Sequence, residues 1–131
     1  QMAEHLLQNC GAFRYTTAIA PPLAASALAA LRLIKTNTQW GANLQLLGEM
    51  WRTRLEQAGW PRPPGNGPIL SLLIGSNQAA LDLQNQLEDA GLLSIAIRPP
   101  TVPNGTARLR LVIHKDLPEE TLERLISALG D

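Results

Sequence analysis

The sequence holds one cysteine, two histidines, two lysines and five aromatic residues, and no excess of either charge. Each scarcity removes a class of explanation. Cys10 cannot form an internal disulfide. With His5 and His114 far apart along the chain, it gives no metal-ligand spacing either. Such thiol usage fits a reducing, cytosolic compartment. Eleven basic residues balance eleven acidic ones. A neutral chain with so few aromatics lacks the charge footprint and stacking platforms of a nucleic-acid binder. No apolar run approaches the roughly 20 residues that cross a bilayer, so no membrane span is expected. No charged-then-apolar leader follows Met2, so no signal peptide is expected. Catalytic sets are missing as well. No Ser-His-Asp motif is visible, and Glu119 and Glu120 look like helix-start charges. Lys35 and Lys115 lie outside any glycine-rich strand end where a Schiff-base lysine would be expected. The chain offers binding groups, but no nucleophile and no general base.

Those binding groups concentrate between Ala96 and Ile113, in the run AIRPPTVPNGTARLRLVI. A short strand ends at Ile97, and a turn with three prolines and one glycine runs from Arg98 to Thr106. Proline fixes φ, so this turn has few conformations open to it. A second strand follows. Period-two alternation puts Ala107, Leu109, Leu111 and Ile113 on one face, and Arg108 and Arg110 on the other. Arg98, Thr101, Arg108 and Arg110 are therefore donors on a stiff frame, which loses little entropy on binding. Arginine grips a carboxylate or phosphate with two parallel hydrogen bonds. The alternative is that arginines on the open face of an antiparallel sheet are simply solvated.

The rest of the chain alternates helical and extended patterns. Gln1–Asn9 reads as a helix without a start signal, as if cut from something longer, and Cys10-Gly11 would stop it. Phe13 to Thr17 reads as an extended connector. Thr16 and Thr17 precede a helix start at Pro21-Pro22, where threonines cap the helix or hold a phosphate. The helix from Pro21 to Thr36 is apolar nearly all round and should be buried on most sides. Asn37 or Thr38 should cap the next helix, which runs to about Ala58. Its stripe is Trp40, Leu44, Leu47, Trp51 and Leu55, with both tryptophans in the core and Arg52, Arg54 and Glu56 on a solvated face.

Trp60 to Pro68 is turn composition. Ile69 to Ile74 reads as a buried strand. Ser76 or Asn77 caps a helix to about Ala90, stopped by Gly91. Leu93 to Ile97 is a strand, and a last helix opens at Pro118-Glu119-Glu120. The fold class is α+β: a small antiparallel sheet of three or four strands with helices on one face, preceded by two long helices. The expected organisation is a helical contact segment over residues 1–60 and a small α+β domain over 61–131.

The run RPPTVPNGTARLRL resembles the C-terminal motif of the α-oxoamine synthase family of pyridoxal-phosphate enzymes. Relatives within that family share the looser VP-x-G-x-x-R-x-R frame, and the Arg-Pro-Pro-Thr start is similar to the biotin-pathway members. Tyr15-Thr16-Thr17, before Pro21-Pro22 and an alanine-rich helix, resembles the family too. The likeness covers essentially the whole chain. It implies the C-terminal domain of a fold type I enzyme. The reaction implied is a decarboxylative condensation of L-alanine with a pimeloyl thioester, in a cytoplasmic homodimer. By the resemblance, Arg110 grips the substrate carboxylate, Arg98 is a nearby carboxylate-holding arginine, Thr101 contacts substrate, and Thr16 and Thr17 reach the cofactor phosphate of the neighbouring subunit. The family's cofactor lysine, pyridine-pairing aspartate and stacking histidine have no counterpart here, so the chain alone is expected to be inactive. The competing reading is a stand-alone α+β module that binds an anionic metabolite or a partner through Arg98 and Arg110.

Overall fold

The structure is a computed structural model and describes residues 1–130. The chain divides into two compact units, Gln1–Thr38 and Gln39–Asp131.

The first unit is helical: α1 (Met2–Asn9), α2 (Gly11–Arg14) and α3 (Pro21–Thr36). Phe13 and Arg14 belong to α2 and not to an extended connector. Ala20 occupies the N-cap of α3 and no side chain bonds there, so neither threonine caps it. The helix needs no such cap, because two prolines fill its first turn with preset φ and remove two N–H groups that would lack acceptors. None of its residues is buried. The expectation of a helix buried on most sides is not met, since its own unit has no second layer to cover Leu23, Leu28, Leu31 and Ile34.

The second unit begins with α4 (Trp40–Gln57), followed by β1 (Ile69–Gly75), α5 (Asn77–Asp89), β2 (Ile95–Ile97), β3 (Ala107–Val112) and α6 (Thr121–Gly130). The sheet order is β1-β3-β2, antiparallel throughout. Helix α4 groups with this sheet and not with the helices before it, because Trp51 and Leu55 sit in the sheet's core. Leu70 and Leu72 of β1 and Leu109 and Leu111 of β3 face that core. They meet Leu87 of α5 and Leu122, Leu125 and Leu129 of α6. Each leucine removed from water in this way stabilises the fold by about 1.5–3 kcal/mol.

Caps and stops explain most element ends. Ser76 accepts a hydrogen bond from the Ala79 N–H at 3.4 Å and starts α5. Gly91, at φ +73°, ends it, with the Leu92 N–H returning to the Leu87 carbonyl at 2.8 Å. Asn37 does not open α4; its side-chain amide donates to the Leu33 carbonyl at 2.8 Å and closes α3 instead. Helix α6 starts at Thr121, three residues after Pro118, because Pro118 to Glu120 form a turn.

Four side chains fall elsewhere than the pattern suggested. Trp40 is 37% exposed, and the Lys115 ammonium lies over its ring at 5.2 Å. Ile69 and Leu73 are exposed, so β1 is buried on one face only. Arg52 is 1% exposed, where a solvated face was expected. Leucine-rich β1 reads as buried because periodicity cannot show which face of a strand is covered.

Candidate functional site

The uncovered face of the sheet carries the candidate site. In β3, Ala107, Leu109, Leu111 and the following Ile113 are buried, while Arg110 and Val112 are exposed and Arg108 is half-buried. The register builds two rows across this face. Ser71 of β1 and Ile95 of β2 stand opposite Arg110, and Leu73 and Ile97 stand opposite Arg108. Each arginine is thus flanked across the sheet, and Arg108 by aliphatic side chains on both sides. Apolar neighbours thin the surrounding water and strengthen a charge-assisted hydrogen bond made there.

The two arginines differ in freedom. The Arg108 Nε donates to the Thr106 carbonyl at 3.1 Å, which folds that side chain back onto the turn. The four ion pairs among the described residues are Arg54–Glu123, Arg62–Glu49, Arg62–Glu56 and Lys115–Asp116. Arg98 and Arg110 take part in none of them. Among the described residues, Arg110 is therefore a guanidinium on a paired strand with no ion-pair partner, and its donors can meet an external carboxylate. Elsewhere, Glu49 and Glu56 raise the Arg62 pKa above its ordinary value by hydrogen bonding and charge.

The turn that joins β2 to β3 is tied down by its own backbone. The Thr101 N–H donates to the Arg98 carbonyl at 3.0 Å. The Thr106 N–H and hydroxyl both donate to the Pro103 carbonyl, at 3.2 and 2.7 Å. The Pro99–Pro100 peptide is cis. Gly105 has φ +75°, a region that residues with a Cβ rarely adopt. Its carbonyl packs against Gly75, where the β1–β3 register shifts between Leu73 and Gly75. Arg98 and Thr101 are exposed on this turn, and Arg110 lies on the strand it leads into. A groove of about 440 Å³ borders Arg110, walled by Leu92, Ile95 and Val112 and carrying His114 and Arg124.

Thr16 and Thr17 belong to the other unit and are exposed between α2 and α3. The Thr16 hydroxyl donates to the Ala12 carbonyl. Thr17 makes no such hydroxyl bond among the described residues. The residue that sequence reasoning missed is Arg52, placed on a helix face that spacing marks as solvated. A charged residue at α-helical spacing from Gly48 gave no signal of burial.

The aminotransferase class I and II family model matches residues 1–129. The chain is 38% identical over 129 residues to 8-amino-7-oxononanoate synthase of Marinobacter nauticus, covering 98% of this chain and 33% of that protein. It is 40% identical over 130 residues to the enzyme of the same name from Nitrosomonas europaea, covering 99% of this chain and 34% of that one. Among solved structures, 8-amino-7-oxononanoate synthase from Francisella tularensis superposes with a TM-score of 0.75 at 24% identity, covering 98% of this chain and 36% of that one. Serine palmitoyltransferase (SPT) with PLP superposes with a TM-score of 0.84 at 20% identity, covering 97% of this chain and 32% of that one. These superpositions show the fold, that of fold type I pyridoxal-phosphate enzymes. The chain spans about a third of the length of the curated relatives it matches.

The residues of this chain do not make a pyridoxal-phosphate site by themselves. Lys35 is exposed at the end of α3, and Lys115 is held by Asp116 and the Trp40 ring.

Proposed function

The chain belongs to the aminotransferase class I and II family, and on that premise we propose that it is the carboxylate-gripping portion of an 8-amino-7-oxononanoate synthase. The whole protein joins L-alanine to a pimeloyl thioester with loss of carbon dioxide. Arg110 grips the alanine carboxylate. Arg98 and Thr101, on the turn before it, contact the same substrate. Thr17, with Thr16 beside it, reaches the cofactor phosphate across a homodimer. The cofactor supplies the electron sink for carbanion formation, and the lysine that anchors it belongs to the part of the polypeptide outside this chain.

The single observation that carries this reading is the free Arg110 guanidinium on the open face of β3, set by pairing on both sides. Decarboxylation needs the departing carboxylate held in one orientation relative to the reacting carbon. A bidentate guanidinium on a central strand can do that, because the strand cannot shift without breaking two ladders. Ile95, opposite Arg110 across the sheet, gives the grip one apolar neighbour. The turn keeps Arg98 and Thr101 near their bound positions before substrate arrives, which lowers the ordering cost of binding.

The test is kinetic, in the full-length polypeptide. Arg110→Ala should raise KM for alanine and lower kcat/KM by about 10²-fold, since one gripping group is lost and geometry loosens. Kinetics within about 2-fold of wild type would return Arg110 to the solvated-strand reading.

A further inference from the structure

One buried charge has no part in the site described above. Arg52 of α4 is 1% exposed. Its Nη2 donates to the Gly67 carbonyl at 2.7 Å and to the Ile69 carbonyl at 3.3 Å. Its Nε and Nη1 are buried and have no hydrogen-bond partner among the described residues. A guanidinium so placed is unfavourable in itself, because taking it out of water is only partly offset by two carbonyls. An aliphatic residue of similar volume would pack there more easily, so bulk stability is a poor reason for an arginine.

The two carbonyls it holds share one direction. β1 is an edge strand, with β3 on its inner side. The Pro68 carbonyl faces β3 and accepts from the Ile113 N–H at 2.9 Å. Carbonyls alternate direction along an extended chain, so those of Gly67 and Ile69 face the outer edge. An outer edge is ordinarily met by water or by another strand. Here the Arg52 guanidinium takes that place. Gly48, one turn earlier on α4, permits the approach: a Cβ there would lie 2.9 Å from the Gly67 carbonyl oxygen and 3.1 Å from Arg52 Nη1. The opposite edge is treated alike. On β2, the Ala96 N–H donates to the Gln84 Oε1 of α5 at 2.7 Å. Helix side chains thus hold the sheet from both sides, and β3 with its two arginines lies between.

We propose that Arg52 is a positioning residue for Arg110. By fixing the outer edge of β1 at Gly67 and Ile69, it fixes where β1 begins. The Ile69–Val112 and Ser71–Arg110 register then carries that placement across to the gripping guanidinium. This inference rests on the reading of Arg110 as the carboxylate grip.

The experiment uses the full-length polypeptide with Arg52→Met, Arg52→Lys and Arg110→Ala, and measures KM for alanine, KM for the thioester and kcat. Arg52→Met should raise KM for alanine about 5–20-fold, the scale of a sub-ångström misplacement, and leave KM for the thioester within about 2-fold. Arg52→Lys, whose ammonium can still donate to both carbonyls, should recover most of the alanine KM. A purely structural role would lower the yield of folded protein but leave the alanine KM of the folded fraction unchanged, and that result overturns the proposal. If Arg52→Met does not fold, Arg52→Gln replaces it; wild-type alanine KM in both Arg52→Gln and Arg52→Lys overturns the proposal equally. An unchanged alanine KM in Arg110→Ala removes the reading of Arg110 and this inference with it. A large effect of Arg110→Ala with none from the Arg52 variants removes the inference alone.

Discussion

At the scale of single residues, the two threonines before α3 are not equivalent. A phosphate dianion only accepts hydrogen bonds, and the Thr16 hydroxyl must leave the Ala12 carbonyl before it can donate to one. If the segment contacts cofactor phosphate as proposed, Thr17→Ala should weaken cofactor binding by about 10-fold or more, the loss of one charge-assisted bond. Thr16→Ala should change it by less than about 3-fold by the same argument. Cofactor titration followed by absorbance reads both, and equal effects would contradict the assignment. Gly105 makes a second residue-scale prediction. At φ +75° an added Cβ is strained, so Gly105→Ala should cost about 1–2 kcal/mol in urea unfolding. Arg98, Thr101 and Arg110 were legible as donors from composition and alternation. Arg52 was not, because helical spacing places a residue on a face without saying what meets that face.

Among the elements, β3 was the most readable. Ala107, Leu109 and Leu111 are buried and alternate with half-buried Arg108, exposed Arg110 and exposed Val112, so its period of two is visible in both sequence and burial. The cost of disturbing it follows. Leu109 is fully buried in the core, so Leu109→Ala should destabilise by about 2–5 kcal/mol, read from the urea midpoint. Gly48 on α4 is tied to the approach to β1. Gly48→Ala forces its Cβ against the Gly67 backbone carbonyl and should cost about 1–3 kcal/mol, although alanine is the better helix former. A neutral or stabilising result would contradict the close α4–β1 approach. Strand β1 was half-readable. Its leucines and isoleucines announced a strand, but only pairing with β3 shows Ile69 and Leu73 on the open face. Element ends were least readable. Asn37 closes α3 and does not open α4, because its side-chain amide donates back to the Leu33 carbonyl and no side chain accepts from the first N–H groups of α4.

At the scale of the molecule, the α+β class, the antiparallel sheet and the helices on one face followed from pattern, and the resemblance carried at the turn agrees with the family match over residues 1–129. Pattern could not say that α4 joins the sheet's unit, because that depends on Trp51 and Leu55 reaching a core assembled from distant segments. The first unit has no buried side chain, so in the isolated chain its amides should exchange far faster than those of β3. Hydrogen exchange by mass spectrometry checks this, and equal protection would contradict it.

The proposed role of Arg110, gripping the carboxylate that leaves as carbon dioxide, is tested by the reaction itself. The most direct measurement is release of labelled carbon dioxide from carboxyl-labelled L-alanine, with pimeloyl thioester and pyridoxal phosphate supplied. Release is expected from the full-length polypeptide, dependent on the thioester, and none from the 131-residue chain alone. Release by the isolated chain, or none by the full-length polypeptide, would contradict it.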